Sequence, residues 1–468
     1  MVAVTARTSS VVILGGGPGG YEAALVAARL GAQVTVVDRD GVGGACVLTD
    51  CVPSKSIIST AHVLRRLGAI REHGLELRTA GRSSDLREVN ERILGLARAQ
   101  SEDIEARLRA DGVRVCRGTG ALLAPDRVRV HRDGQVAQDL DADVVLVATG
   151  ATPRVMDTAV PDGERILSWR QLYSLPRAPE HLVVVGSGVT GAELAQAYLG
   201  LGSEVTLVSS RERVLPGEDP DAATVIEQVF RREGMTVLGR SRMSAVERVG
   251  DTVRVHLQDG RVVEGSHALL AVGSVPQTAG IGLADLGVAL SPGGHVEVDG
   301  VSRTTVRGVY AAGDCTGVLP LASVAAMQGR KAIWHALGDA VTPLDLRVVS
   351  STVFTDPEIA TVGLSHQDVE DSGRDIETST LALDSNARAK MDSFHDGFVK
   401  VFARSGQGTV LGGVVVAPRA SELIYPITLA VQNGLTADQL ASSYTVYPSM
   451  TGSIAEAARR VVTAVRRP

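Results

Sequence analysis

Two cysteines, Cys46 and Cys51, stand with four residues between them in the run Cys46-Val-Leu-Thr-Asp-Cys51-Val-Pro-Ser-Lys55. A close thiol pair can exchange with a disulfide or bind a metal. In a chain of 468 residues with only four cysteines it does not read as a secreted disulfide framework. Zinc would need four ligands, and neither a second close cysteine pair nor a histidine pair completes them, so no metal is expected. Redox chemistry is the reading left for the pair. Cys116 and Cys315 read as small buried hydrophobes.

The elements that would position this pair begin just upstream. Val11–Leu14 is a short β-type run followed by Gly15-Gly16-Gly17-Pro18-Gly19-Gly20, a helical stretch to Leu30, a cap-suited Gly31, and a strand over Val34–Val37 ending at Asp38. Gly15 would permit a tight turn, Gly17 would let backbone approach a pyrophosphate, and Gly20 would let the helix pack closely on the strand. The helix N-terminus would stabilise phosphates, and Asp38 could accept a bond from a ribose hydroxyl.

The pattern recurs. A strand over Leu182–Val185 precedes Gly186-Ser-Gly188-Val-Thr-Gly191-Ala-Glu193, a helix ending near Gly202, and the strand Glu204–Val208. No acid follows that strand; Ser209, Ser210, Arg211, Glu212 and Arg213 do. Hydroxyl and guanidinium groups suit a 2′-phosphate, so NADPH is expected ahead of NADH, with Gly273 as a further nucleotide-binding candidate. Arg211 and Arg213 also read as ordinary solvated charges. Two dinucleotide sites imply electron flow from a nicotinamide to a second held dinucleotide, for which a flavin, FAD, is the candidate. Val144–Val147 running into Thr149-Gly150, and Gly308–Gly313 ending at Asp314, support it. Asp314 could bind ribityl hydroxyls, or equally cap a helix.

A net charge of −6 gives no electrostatic reason to expect nucleic acid or an anionic membrane as partner. No apolar run approaches the roughly 18–20 residues needed to span a bilayer. The run at Val11 is too short for a signal peptide and reads as a first strand, so a cytoplasmic enzyme is expected.

Together these residues resemble the flavoprotein pyridine nucleotide-disulfide oxidoreductases: dihydrolipoamide dehydrogenase, glutathione reductase and mercuric reductase. The likeness runs on through Val353-Phe-Thr-Asp-Pro357-Glu358-Ile-Ala360, Asn386-Ala-Arg-Ala389, Gly397-Phe-Val-Lys400 and Glu422-Leu-Ile424. It implies an α/β fold with two Rossmann-like dinucleotide-binding domains and an α+β C-terminal interface domain. Segment order gives FAD binding over 1–151, NAD(P)H binding over 152–275, FAD binding again over 276–345, and the interface over 346–468. The resemblance implies a homodimer or higher homo-oligomer, each site completed by the partner's C-terminal domain.

It also implies that Cys51 is the charge-transfer thiol and Cys46 the interchange thiol, and that Lys55 and Glu193 meet beside the flavin. There a cation would favour the reduced anion and the glutamate would offset it. On an ideal helix, residues five apart have Cα atoms roughly 8–9 Å apart. A disulfide needs about 7 Å or less, so the helix must be distorted for the pair to close, and Pro53 permits that.

The departures point away from thiol chemistry. The family's H-x-H-P-x-x-x-E motif falls on Thr445, Tyr447, Pro448 and Gly452. A phenol, with a pKa of about 10, is about three units too weak as a base at neutral pH, roughly 4 kcal/mol. Gly452 brings no carboxylate. The usual G-G-T-C-x-N-x-G-C becomes Gly43-Gly-Ala-Cys46-Val-Leu-Thr-Asp50-Cys51, and Asp50 would disfavour a Cys51 thiolate by like-charge repulsion. Mercuric reductase shares the tyrosine but ends in a cysteine pair, whereas this chain ends Val461-Val-Thr-Ala-Val-Arg-Arg-Pro468.

The expectation is an NAD(P)H:quinone oxidoreductase. Its nearest resemblance is the actinobacterial quinone reductase branch, on Val185–Glu193, Leu321–Arg330 and Tyr447-Pro-Ser. The alternative is a dihydrolipoamide dehydrogenase-like disulfide reductase using Cys46 and Cys51; a flavin-bound sensor without turnover is a further reading.

Overall fold

The computed structural model describes residues 8–68, 70–75, 85–371, 373 and 375–465. The thiol-free C-terminus read from the sequence therefore ends, at 466–468, outside the described residues. The chain divides into two compact units, one of residues 1–54, 90–154 and 273–345, the other of 55–89, 155–272 and 346–468.

In the first unit, Ser10–Leu14 lies at the centre of a five-stranded parallel sheet. The order is Val309–Ala311, Val144–Val147, Ser10–Leu14, Gln33–Asp38, Arg114–Arg117. Val11–Leu14 is buried throughout because both sheet faces are covered, which is why the run is continuously apolar rather than alternating. The helices Pro18–Arg29 and Ala322–Ala336 pack there, and a Cβ at Gly329 would overlap the backbone of Gly19. A three-stranded antiparallel sheet, Thr119–Ala124, Arg127–Arg132 and Gln135–Asp141, supports the other face.

The second unit contains two cores. One is again parallel, in the order Thr236–Leu238, Glu204–Val208, His181–Val185, His267–Leu270, Ile166–Ser168. The helix Val189–Gly200 follows its central strand, and Gly202 turns the chain at φ +102. The other is an antiparallel five-stranded sheet ordered Ser350–Val353, Glu358–Gly363, Val410–Ala417, Phe398–Arg404, Ile376–Ala382. Helices Tyr425–Asn433 and Thr451–Val465 cover it, with Ile424, Ile427, Ile454 and Val461 in its core. The α/β class expected from the sequence is the one observed, with a parallel sheet in each unit and an α+β C-terminal part.

The second glycine loop separates packing from access. A Cβ at Gly191 would overlap the carbonyl oxygen of Gly186, whereas one at Gly188 would meet nothing within 4 Å. Gly191→Ala should cost about 3 kcal/mol by overpacking, a fall of roughly 5–10 °C in the thermal midpoint of a domain of this size. Gly188→Ala should leave that midpoint nearly unchanged when both are measured by thermal unfolding without nucleotide.

Candidate active site

In the first unit the glycine loop and the cysteine segment form one structure. Gly43 N–H donates to the Gly16 carbonyl at 2.7 Å. Gly44 has φ +58, and a Cβ there would stand 2.8 Å from the Gly17 Cα. The short helix Gly44–Leu48, carrying Cys46, therefore starts against the glycine loop. It ends at Thr49, which leaves helical geometry at φ −139, ψ −4. A new helix, Cys51–Gly68, begins two residues later with Ser54 N–H on the Asp50 carbonyl at 2.7 Å. Pro53 supplies the reason: in a continuous helix its ring would clash with the Thr49 carbonyl and it has no N–H to offer it. The interruption expected between the two cysteines is present, and both are partly exposed.

The same loop fits a dinucleotide pyrophosphate. A Cβ at Gly15 would overlap the Ala148 carbonyl and one at Gly20 the Gly15 carbonyl, while Gly17 opens on space. The helix Pro18–Arg29 has no side-chain cap and no acid in its first turn, leaving its positive end for an anion. Asp38 accepts from Gly16 N–H at 2.6 Å with one oxygen, and from Asp40 and Gly41 N–H at 2.9 and 2.7 Å with the other. It thus shapes the loop besides standing where a ribose hydroxyl could reach it. Thr149 Oγ1 donates to the Gln277 carbonyl at 2.7 Å, and Gly150 takes φ +69 behind it.

Asp314 opens a 3₁₀ turn, Asp314–Thr316, whose cap position is Gly313 and has no side-chain bond, so the capping alternative does not hold. Burial raises the Asp314 carboxyl above its ordinary range, the charge of Asp50 raises it further, and His295 opposes both. Sequence reasoning missed Gln328, 2% exposed, whose Oε1 accepts the Gly313 N–H at 2.8 Å and so places Asp314. A lone buried amide among Ala, Val and Gly was its visible signal. Cys116 and Cys315 are buried as expected, and burial pushes the Cys315 thiol up to about 11.

In the second unit Lys55 and Glu193 do meet. Lys55 Nζ donates to Glu193 Oε2 at 2.8 Å; the Glu193 side chain is 2% exposed. The other carboxylate oxygen accepts the Phe354 N–H at 2.8 Å, and the Lys55 ammonium lies 5.0 Å from the Phe354 ring centre. One turn on from Glu193, Gln196 Oε1 accepts the Asp356 N–H at 2.7 Å and its Nε2 donates to the Asp356 carbonyl at 2.8 Å. Arg65 donates to Asp356 Oδ2 at 2.8 Å and also to Glu233, whose carboxyl burial raises. Phe354, Gln196 and Arg65 were not picked out from the sequence, although Gln196 is a buried amide one turn from Glu193 in a helix otherwise of small and apolar residues on its buried side.

The second glycine loop repeats the first: a Cβ at Gly186 would overlap the Ala271 carbonyl, Gly188 is open, and the helix start is uncapped. Arg211 and Arg213 are exposed. Ser209 is fully buried, its hydroxyl bonding Ser187 Oγ at 2.6 Å, the Arg211 carbonyl at 3.2 Å and the Arg211 N–H at 3.1 Å. Ser209 therefore braces the loop from inside. Gly273 turns the chain at φ +91, its carbonyl accepting the Arg154 N–H at 3.0 Å.

Near the C-terminus Tyr447 is 86% exposed, beside Tyr444 at 106% and Val446 at 79%. Asn386 holds this turn: its Nδ2 donates to the Ser449 carbonyl and Ser453 Oγ at 3.1 and 2.8 Å, while its Oδ1 caps the helix Ala387–Met391. No helix among the described residues is long and apolar enough to cross a membrane.

Residues 9–329 match the pyridine nucleotide-disulphide oxidoreductases, and residues 349–458 match that family's dimerisation domain. The chain is 52% identical to a Mycobacterium tuberculosis protein named NAD(P)H dehydrogenase (quinone), with 97% of this chain and 94% of the relative covered. Dihydrolipoyl dehydrogenase 2 of Haloarcula marismortui is 32% identical with 96% of each covered. The crystal structure of LpdA from M. tuberculosis matches with a TM-score of 0.92 at 52% identity, over 97% of this chain and 100% of that one. The flavoprotein disulfide reductase RclA of Escherichia coli, at 23% identity and TM-score 0.85 over 96% and 99%, shares the fold. Across nearly its whole length, then, this chain belongs to the pyridine nucleotide-disulphide oxidoreductase family.

Proposed function

We propose that this oxidoreductase passes two electrons from NADPH, or NADH, through FAD to a quinone-type acceptor, as a cytoplasmic homodimer built on the four segments read from the sequence. The balance is NADPH plus a quinone plus one proton giving NADP⁺ and the hydroquinone. Family membership implies a flavin and a pyridine nucleotide, and both glycine loops fit a pyrophosphate. When bound, the nicotinamide supplies the hydride and the flavin relays the electron pair. The 52% identical relative named for quinone reduction supports this acceptor.

The observation that carries the reading is selective. The Lys55–Glu193 pair is fully assembled, while the position of the family's histidine base is a solvent-facing phenol, Tyr447, and that of its glutamate is Gly452. Lys55 would supply positive charge toward a bound flavin, and Glu193, held by Phe354 N–H, fixes the ammonium. Gly15, Gly17, Gly20, Asp38, Thr149, Gly150 and Asp314 would hold FAD; Gly186, Gly188, Gly191, Arg211 and Gly273 would hold the nicotinamide nucleotide. The run Tyr444–Tyr447 is a large exposed apolar patch on a domain of the dimerisation type, which supports its burial by a second copy.

A disulfide-reductase reading keeps one observation in its favour, the helix interruption between Cys46 and Cys51. Two experiments separate the readings. Cys46→Ser and Cys51→Ser should each leave NADPH–quinone kcat within about twofold of wild type; a collapse in either would show that the thiols carry the electrons. In an anaerobic NADPH titration followed by visible absorbance, the flavin band should bleach directly; a long-wavelength charge-transfer band at two electrons would instead make Cys51 a working redox partner. Lys55→Met should slow flavin reduction by about a hundredfold, read by stopped flow, with a lowered flavin potential as the companion signature.

A further inference from the structure

Lys400, on the strand Phe398–Arg404 of the C-terminal sheet, is 1% exposed. Its ammonium donates to both oxygens of Asp219 at 2.9 and 2.7 Å and to Asp221 Oδ2 at 2.7 Å, which uses all three of its donors. The Phe398 ring centre lies 5.4 Å away. Burying such a cluster is costly, and an apolar packing of equal volume would serve stability as well or better. Its placement calls for another reason.

That reason lies in what Asp219 terminates. Its Oδ1 also caps the helix Pro220–Arg232 through Asp221 and Ala222 N–H at 3.0 and 3.2 Å. Ahead of it runs the loop carrying Arg211 and Arg213. Inside that loop Leu215, 1% exposed, is held at φ +49, a left-handed conformation that costs a branched side chain about 1–2 kcal/mol. Such a conformation persists only where its surroundings enforce it. Leu215 N–H donates to the Ser187 carbonyl, within the second glycine loop, at 2.8 Å. Ser209 braces the same loop from below. The loop is thus stretched between the glycine loop at one end and Lys400 at the other.

We propose that Lys400 is a positioning residue for nucleotide selection: from the C-terminal sheet it fixes the 209–219 loop so that Arg211 and Arg213 meet the 2′-phosphate of NADPH. This rests on the NADPH reading given above. Lys400→Met alone would leave the buried Asp219 carboxylate beside that of Asp221 with no cation between them. The variant to use is D219N/D221N/K400M, which removes the charges together and keeps an asparagine cap on the helix.

On the FAD-loaded full chain, calorimetric Kd for 2′,5′-ADP and KM for NADPH should each rise about fivefold. KM for NADH, and kcat at saturating NADPH, should stay within about twofold. Asp221→Asn, at a side chain 65% exposed, keeps the fold if the triple variant does not, and should shift the same two constants about twofold. Wild type that prefers 2′,5′-ADP to 5′-AMP, with folded variants whose NADPH-to-NADH KM ratio is unchanged, overturns the role of Lys400 alone. Wild type that shows no such preference overturns the NADPH reading and this proposal with it.

Discussion

The buried carboxylate of Glu193 is the constraint around which the second unit is arranged. A carboxylate taken out of water costs several kcal/mol unless every lone pair finds a partner. Here one oxygen takes the Lys55 ammonium and the other the Phe354 N–H. Meeting the second demand requires the segment Phe354–Asp356 to lie along the helix Val189–Gly200. Gln196, one turn further on, clamps both backbone groups of Asp356 to keep it there. Arg65 then satisfies the Asp356 side chain from the helix that also carries Lys55. One buried charge thus fixes the mutual placement of three chain segments far apart in sequence.

Much of this was legible in the sequence, for identifiable reasons. Continuous apolar runs such as Val11–Leu14 and Leu182–Val185 are legible because a strand covered on both faces cannot alternate. Gly15, Gly20, Gly186 and Gly191 are legible because any side chain would overlap backbone, so the spacing is sterically forced. The break between Cys46 and Cys51 could be anticipated from disulfide geometry and Pro53, although its location at Thr49–Asp50 could not. Gln196 and Gln328 offered only the signal of an amide within a mostly apolar stretch, and Arg65 and Phe354 offered none, because their partners lie distant in sequence. Ser209 shows the opposite error. Its type suited a phosphate, but its hydroxyl is buried against Ser187 and the Arg211 backbone.

The cysteine segment shows how a carboxylate is accommodated where one helix ends and the next begins. Asp50 occupies the point where one helix ends and the next begins, a place where a carboxylate is favoured by the positive helix end. The backbone therefore tolerates it well. Electrostatically it is less innocent, because it stands next to Cys51 in sequence and its charge is felt at Asp314.

Retention of a feature is informative only where structure alone would not require it. Gly15, Gly20, Gly186 and Gly191 would be retained by packing even in a protein without catalysis, since their replacement overlaps backbone. The Lys55–Glu193 pair is different. Replacing an ion pair by apolar side chains of similar volume is often neutral or stabilising, so charge is not the only way to pack these positions, yet Glu193, 2% exposed, has both oxygens bonded and Lys55, 32% exposed, bonds one of them. The positions read as the thiol relay's base and its orienting acid, Tyr447 and Gly452, are exposed and part-exposed, where substitution costs the fold little in either direction. The chain therefore keeps a charged pair that is costly to bury and, at the exposed positions where the resemblance expects a histidine and a glutamate, holds a tyrosine and a glycine.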